Sequence, residues 1–169
     1  MTDDTTLLAN DNATRHAAGD GEADVLVRRA TADDLPLVIE LDGDNTGLHK
    51  PDYWDETFHE IERHPGQHFL IAESASPGHE FLGFIVGEVR AWEFGSRPCG
   101  WILTIGVVHE RRVAGVGSAL FDAICGRFAA DGVKTVRTML ARHDQLNMSF
   151  FRSQGMMAGS FIELEKPID

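Results

Sequence analysis

At 169 residues the chain holds one compact domain with a real core and is too short for two of ordinary size. Apolar residues make up 43% and charged residues 25%, the balance of a soluble globular protein. A formal net charge of -12 argues against sequence-independent nucleic-acid binding, because a phosphate backbone would be repelled; it suits a cationic partner such as an amine, or plain solubility. No apolar run approaches the roughly 20 residues that cross a membrane. The start, Met1-Thr2-Asp3-Asp4, has neither the basic residues nor the apolar stretch of a signal peptide. Cys99 and Cys125 lie far apart without metal-ligand spacing, so a reducing cytoplasm is the expected compartment.

Residues 1–24 are rich in Asp, Thr, Ala, Asn and Gly without apolar periodicity, and read as a mobile acidic arm. The ordered domain, 25–169, opens with a β-rich run from Val25 to Ala30. Thr31 then caps a helix whose Leu35, Leu37, Val38 and Leu41 recur at helical spacing, with Pro36 in the first turn where a missing N–H costs least. Pro51 opens a second helix with Tyr53, Trp54, Thr57, Phe58 and Ile61 on one face, stopped by His64-Pro65-Gly66. Strands are expected at 68–73, 81–89 and 101–108, a helix from Gly117 to about Ala130, and a strand at 133–140. A short helix from Asn147 to Gln154 stops at Gly155, and residues 160–165 close the chain as a strand. This order predicts an α/β fold, a mixed sheet covered by helices.

The segment with most chemistry in it runs from Val107 to Leu120. An apolar strand enters a turn with glycines at 115 and 117, and an amphipathic helix begins at once. Backbone N–H groups at such a helix start lack intrahelical partners and sit at the positive end of the helix dipole, so the turn suits an anion such as a pyrophosphate. Gly115 and Gly117 permit close approach of a ligand, and Arg112 adds a charged contact or braces the loop. A dinucleotide-binding turn needs a third glycine, and Leu120 stands in its place; a P-loop needs Gly-Lys-Ser/Thr, which is absent.

Arg112-x-x-Gly115-x-Gly117 after an apolar strand resembles the acetyl-CoA signature of the GNAT acetyltransferases, and the element order from Val25 to Ile168 is similar to that family's. The resemblance implies a GNAT-type mixed, largely antiparallel central sheet flanked by helices on both faces. It implies acetyl-CoA as co-substrate, with no metal. Val107 and Val108 would face the pantetheine arm, while Arg112, Val113, Ala114, Gly115, Val116, Gly117 and Ser118 would hold the pyrophosphate. The strands ending in Val108 and Leu140 would splay to admit the thioester. The family also carries a helix with an early Asn and a late Tyr, the latter assigned to protonate the leaving thiolate. Counting back from Gly155 puts Phe151 at the tyrosine position and Asp144 at the asparagine position, with Asn147 one turn later. Asn147 and Phe151 are therefore expected at the acetyl-CoA site, and Phe151 has no proton to give.

Direct attack of the amine requires orientation, an N–H polarising the carbonyl, and a route for the amine's proton. Glu88, ending an apolar strand beside the expected site, is the first candidate for the base; Glu93 and His109 are weaker ones. His59, His64 and His68 flank Pro65-Gly66, share no helical face and read as surface histidines. Cys125 falls among apolar helix positions and reads as packing. Trp92, Glu93 and Phe94 sit on a loop between strands, lining either an acceptor groove or a homodimer contact. The expected function is an N-acetyltransferase for a primary amine, on a protein or a small molecule. An acetyl-CoA-binding regulatory module with little turnover is the alternative, and an unrelated nucleotide binder a third.

Overall fold

The computed structural model describes residues 14–16, 25–109 and 115–168. Six strands form one sheet in chain order: β1 (Thr14–His16), β2 (Val25–Arg29), β3 (Gln67–Ser74), β4 (Phe81–Arg90), β5 (Cys99–Val107) and β6 (Val136–Arg137). Neighbours run antiparallel except β5 and β6, which are parallel. Helices α1 (Leu35–Thr46) and α2 (Pro51–Arg63) precede β3, α3 (Val116–Ala130) follows β5, and α4 (Gln145–Ser153) follows β6. The expected mixed, largely antiparallel sheet with helices on both faces is the fold observed.

Period-two alternation in β3 explains the two layers. Phe69 and Ile71 pack with Trp54, Phe58 and Ile61 of α2 and Val38 of α1, whereas Leu70 and Ala72 pack with Leu120, Ile124 and Phe128 of α3. A strand with both faces covered must be apolar without interruption, which is why 81–86 reads as a continuous run. The register skips Leu82 on β4 and Leu103 on β5, a β-bulge in each strand.

Polar ties hold the first helices in place. Thr31 precedes a short 3₁₀ turn (Ala32–Asp34) that leads into α1; its N–H and hydroxyl donate to Asp34 Oδ2 at 2.8 and 2.9 Å. Arg28 on β2 forms a fork on Asp34 and donates from Nε to Glu73 on β3, all at 2.8 Å. Burial by itself would raise the Asp34 pKa, but the bonds from Arg28 and Thr31 outweigh it and hold the carboxyl below its ordinary value. Between α1 and α2, Trp54 Nε1 and Lys50 Nζ both reach Asp42 Oδ2 at 2.9 Å, which fixes the last turn of α1.

Several expectations change. Thr14–His16, within the segment read as an arm, pairs with β2 as an edge strand; residues 1–13 and 17–24 lie outside the described residues. The strand expected over 133–140 contracts to Val136–Arg137, and residues 160–165 join no strand. Ile162 and Leu164 there are 84% and 87% exposed. An apolar alternation makes a strand only when an edge is offered at the right height, and β6 offers two residues. Tyr53 turns out from the α2 face, 49% exposed, because Trp54 takes the inward position.

Candidate active site

β5 and β6 part company early. They pair at Gly100↔Val136 and Trp101↔Arg137, the Thr138 hydroxyl donates to Ile102 O at 3.0 Å, and past that point β5 continues to Val107 without β6 beside it. The gap is a cleft of about 520 Å³. Its walls are Ile105 and Val107 from β5, Gly117 from α3, Asn45 from α1, and a stretch from Ala141 to Phe150 that includes His143, Asp144 and Asn147. The splay expected between the strands ending in Val108 and Leu140 is thus where the cleft opens.

The start of α3 closes one end. Gly115 is the N-cap, with φ 78°, a left-handed conformation that glycine takes without steric cost. The first-turn N–H groups of Val116, Gly117 and Ser118 have no intrahelical acceptor, and the helix dipole adds partial positive charge at the same place. Such a helix start suits an anion. Residues 112–114, expected to complete the turn, lie outside the described residues.

Other expected donor-site residues take different places. The Val116 side chain is fully buried and can contribute only backbone. Ser118 Oγ accepts from Gln154 Nε2 at 3.0 Å, which ties α3 to the end of α4. Val108 donates its N–H to Leu82 O and borders a second groove. Asn147 does line the cleft, with its Nδ2 on Asp144 Oδ2 at 2.8 Å and its N–H on Asp144 Oδ1 at 3.1 Å, so Asp144 caps α4. Phe151 is not at the cleft: it is 4% exposed and packs against Phe121 and Phe150 in the core under α3. Its neighbour Phe150 lines the cleft instead, a swap of adjacent aromatics that residue counting did not reveal.

Gly117 has a packing reason to be glycine. A Cβ there would lie 2.9 Å from Phe150 Cε2, so the bare glycine lets the ring rest on α3. Gly117→Ala is expected to push that ring into the cleft and weaken acetyl-CoA binding about tenfold, the scale of one overpacked contact. Calorimetric titration with acetyl-CoA measures it; an unchanged affinity would show that Phe150 yields without narrowing the cleft.

The base candidates do not converge on the cleft. Glu88 lies opposite Trp101 on the sheet, five residues along β4 from Gly83, the residue facing Val107. That is roughly 16 Å of strand. Its carboxylate accepts from Arg90 Nε at 2.7 Å and from Gln67 Nε2 at 3.4 Å. Of Glu93 only the backbone is described, in a short turn (Glu93–Gly95) beyond β4. His109 borders the second groove, about 760 Å³, with Leu37, Glu40, Asp44, Asn45 and Glu80. Asn45 lines both spaces. Trp92 and Phe94 are strongly exposed on their loop and border neither space.

Cys125 sits half-buried on α3, its thiol pushed up to about 11 by burial and by Asp122. That pKa makes it a poor nucleophile. Among the described residues no three His, Cys, Asp or Glu side chains gather as metal ligands. In the same residues no helix is long and apolar enough to cross a membrane.

The cleft thus lies at the parting of two parallel strands, with the start of a helix at its end. The acetyltransferase (GNAT) family pattern matches residues 35–156, and the chain belongs to that family. Solved structures agree on the fold. The aminoglycoside N-acetyltransferase AAC(6')-Iy in complex with CoA aligns over 89% of this chain and 99% of its own, with TM-score 0.74 and 16% identity. The aminoglycoside 6'-N-acetyltransferase AAC(6')-IG from Acinetobacter haemolyticus aligns over 85% and 99%, with TM-score 0.69 and 17% identity. A transcriptional regulator from Bacillus halodurans C-125 aligns over 85% and 99%, with TM-score 0.70 and 19% identity. No curated protein sequence matches the chain.

Proposed function

We propose that this protein transfers the acetyl group of acetyl-CoA directly to the primary amine of a cationic acceptor, on a small molecule or a peptide. The observation that carries this reading is the cleft between β5 and the Ala141–Phe150 stretch, with the N-terminus of α3 at its end, in a chain of the GNAT family. The N–H groups of Val116, Gly117 and Ser118 hold the pyrophosphate, together with Arg112, Val113 and Ala114, which precede them in the sequence. Val107 and Asn147 flank the pantetheine arm. A CoA complex of a structural neighbour supports the donor.

The acceptor enters from the second groove. Glu40, Asp44 and Glu80 give it a negative lining, and it meets the cleft at Asn45. Carboxylates around an entrance raise the local concentration of cations, and an amine that arrives charged must lose a proton there before it attacks. His109 lies where it can receive that proton. Glu88, held by Arg90 on the far part of β4, has no part in this reading. Aminoglycoside acetyltransferases among the neighbours support a polycationic acceptor.

The alternative, an acetyl-CoA-binding regulatory module, draws on one observation: no tyrosine lines the cleft, and Phe151 lies in the core. The test is CoA thiol release from acetyl-CoA with spermidine, kanamycin and a lysine-rich peptide against neutral amines, with products read by mass spectrometry. Release that depends on the cationic amines is the expected result. Binding of acetyl-CoA with no release for any amine would favour the regulatory module.

A further inference from the structure

Breaking the thioester leaves a thiolate that needs a proton, and the usual phenol is missing here. Tyr53 is the chain's single tyrosine, on α2 and outside the cleft. The cysteines are also elsewhere: Cys99 is buried under Arg137 and Cys125 lies on α3 away from the cleft wall. Among the described residues lining the cleft, the titratable side chains are His143 and Asp144.

Asp144 is occupied. It accepts the Asn147 N–H and side-chain amide as the cap of α4, a structural task. His143 precedes it in a tight turn, where the Asp144 N–H bonds Ala141 O at 3.0 Å and the Gln145 N–H bonds His143 O at 2.9 Å. The turn fixes the backbone while the imidazole stays exposed on the cleft wall. The same cleft is also lined by Ile105, Val107, Phe150, Gly117 and Asn45, none of them ionisable. Arg142, its exposed neighbour in the chain, does not line the cleft. An imidazole is the side chain whose proton exchanges near neutral pH.

We infer that His143 is the catalytic acid that protonates the departing CoA thiolate; this rests on the acetyltransferase reading above. The amine nitrogen bonds the acetyl carbon, the carbon–sulfur bond breaks with its electron pair on sulfur, and the sulfur takes the imidazolium proton. The proton shed by the acylated nitrogen returns the imidazole to its charged form, so the products are an amide and a free thiol with no further reactant. His143 and His109 then stand on the thiol side and the amine side of Asn45.

The test needs no acceptor. CoA bound to the wild-type chain and to His143→Gln is titrated by the ultraviolet absorbance of its thiolate, with desulfo-CoA as blank and calorimetry as proof of binding. An imidazolium beside the thiol lowers its pKa, so the bound thiol is expected to ionise at least about one pH unit lower in the wild type. With a working acceptor, kcat of His143→Gln falls about 100-fold while the KM for acetyl-CoA is unchanged. Equal thiol titration in the two proteins overturns the assignment, as does loss of CoA binding in the variant alone. Failure of the wild-type chain to bind CoA overturns the donor site itself, and is told apart by the calorimetry.

Discussion

Arg28→Met is expected to lower the unfolding free energy by about 3 kcal/mol at neutral pH, because it strands two buried carboxylates. Asp34 and Glu73 expose 9% and 8% of their side chains, and Arg28 is the cation between them, 2.8 Å from each. His79 also reaches Glu73, at 3.0 Å, but from an exposed turn, and it cannot replace the fork on Asp34. For a domain of this size the loss corresponds to a fall in Tm of roughly 6–12 °C.

The same variant has a pH signature with a defined sign. The folded-state pKa of Asp34 lies below its ordinary value, so its contribution to stability is complete above the ordinary carboxylate range. It is lost as pH falls through the lowered pKa. Arg28 stays charged in both states over that range and adds no slope of its own. Without Arg28, burial opposes the charge on Asp34 with only Thr31 to offset it, and the folded state takes up a proton more readily. The gap between wild type and variant should therefore narrow as pH falls toward about 4, the ordinary carboxylate value. Urea denaturation at neutral and mildly acidic pH measures it, and a gap independent of pH would show that the arginine stabilises by packing alone.

Gly83→Ala is expected to cost about 3 kcal/mol, the upper end for overpacking, and to loosen the donor site. Gly83 faces Val107 across β4 and β5, and a Cβ there would lie 2.4 Å from Gly106 O and 3.1 Å from Val107 Cα. Both neighbours are backbone, so no side chain can swing aside. The strands must separate where β5 forms the cleft wall. Affinity for acetyl-CoA should fall about tenfold, equivalent to about 1.4 kcal/mol. Denaturation and calorimetric titration read the two effects; full stability with full affinity would mean that the bulge at Leu82 absorbs the methyl group.

The amino-acid pattern alone determined the features that depend on local chemistry. The long apolar runs of β3, β4 and β5, separated by loops that hold Gly and Pro, are strands in almost any context, because their side chains must be buried on one face or both. Thr31 and Pro36, and then Pro51, mark helix starts for reasons that lie within a few residues. The glycine at 115 takes a left-handed backbone at the start of α3, and the apolar strand before it and the helix after it are both legible in the sequence.

Tertiary structure decided what depends on a distant partner. Alternation in 160–165 resembles that of a real strand, but no free length of β6 lies alongside to pair with it. Thr14–His16 has no strand signature of its own and is a strand because β2 offers an edge. On α4, neighbouring residues differ by about 100° around the axis, so the docking angle against α3 chooses which phenylalanine goes inward. Phe151 goes to the core and Phe150 to the cleft. Glu88 stands near the site in strand order, yet the direction of β4 carries it away. His143 and Asn45 are 98 residues apart and border one cleft only because α1 and the α4 entry turn close over the end of β5. Helix starts and strand runs follow from forces between near neighbours, whereas a site assembled from separate elements follows from how those elements pack.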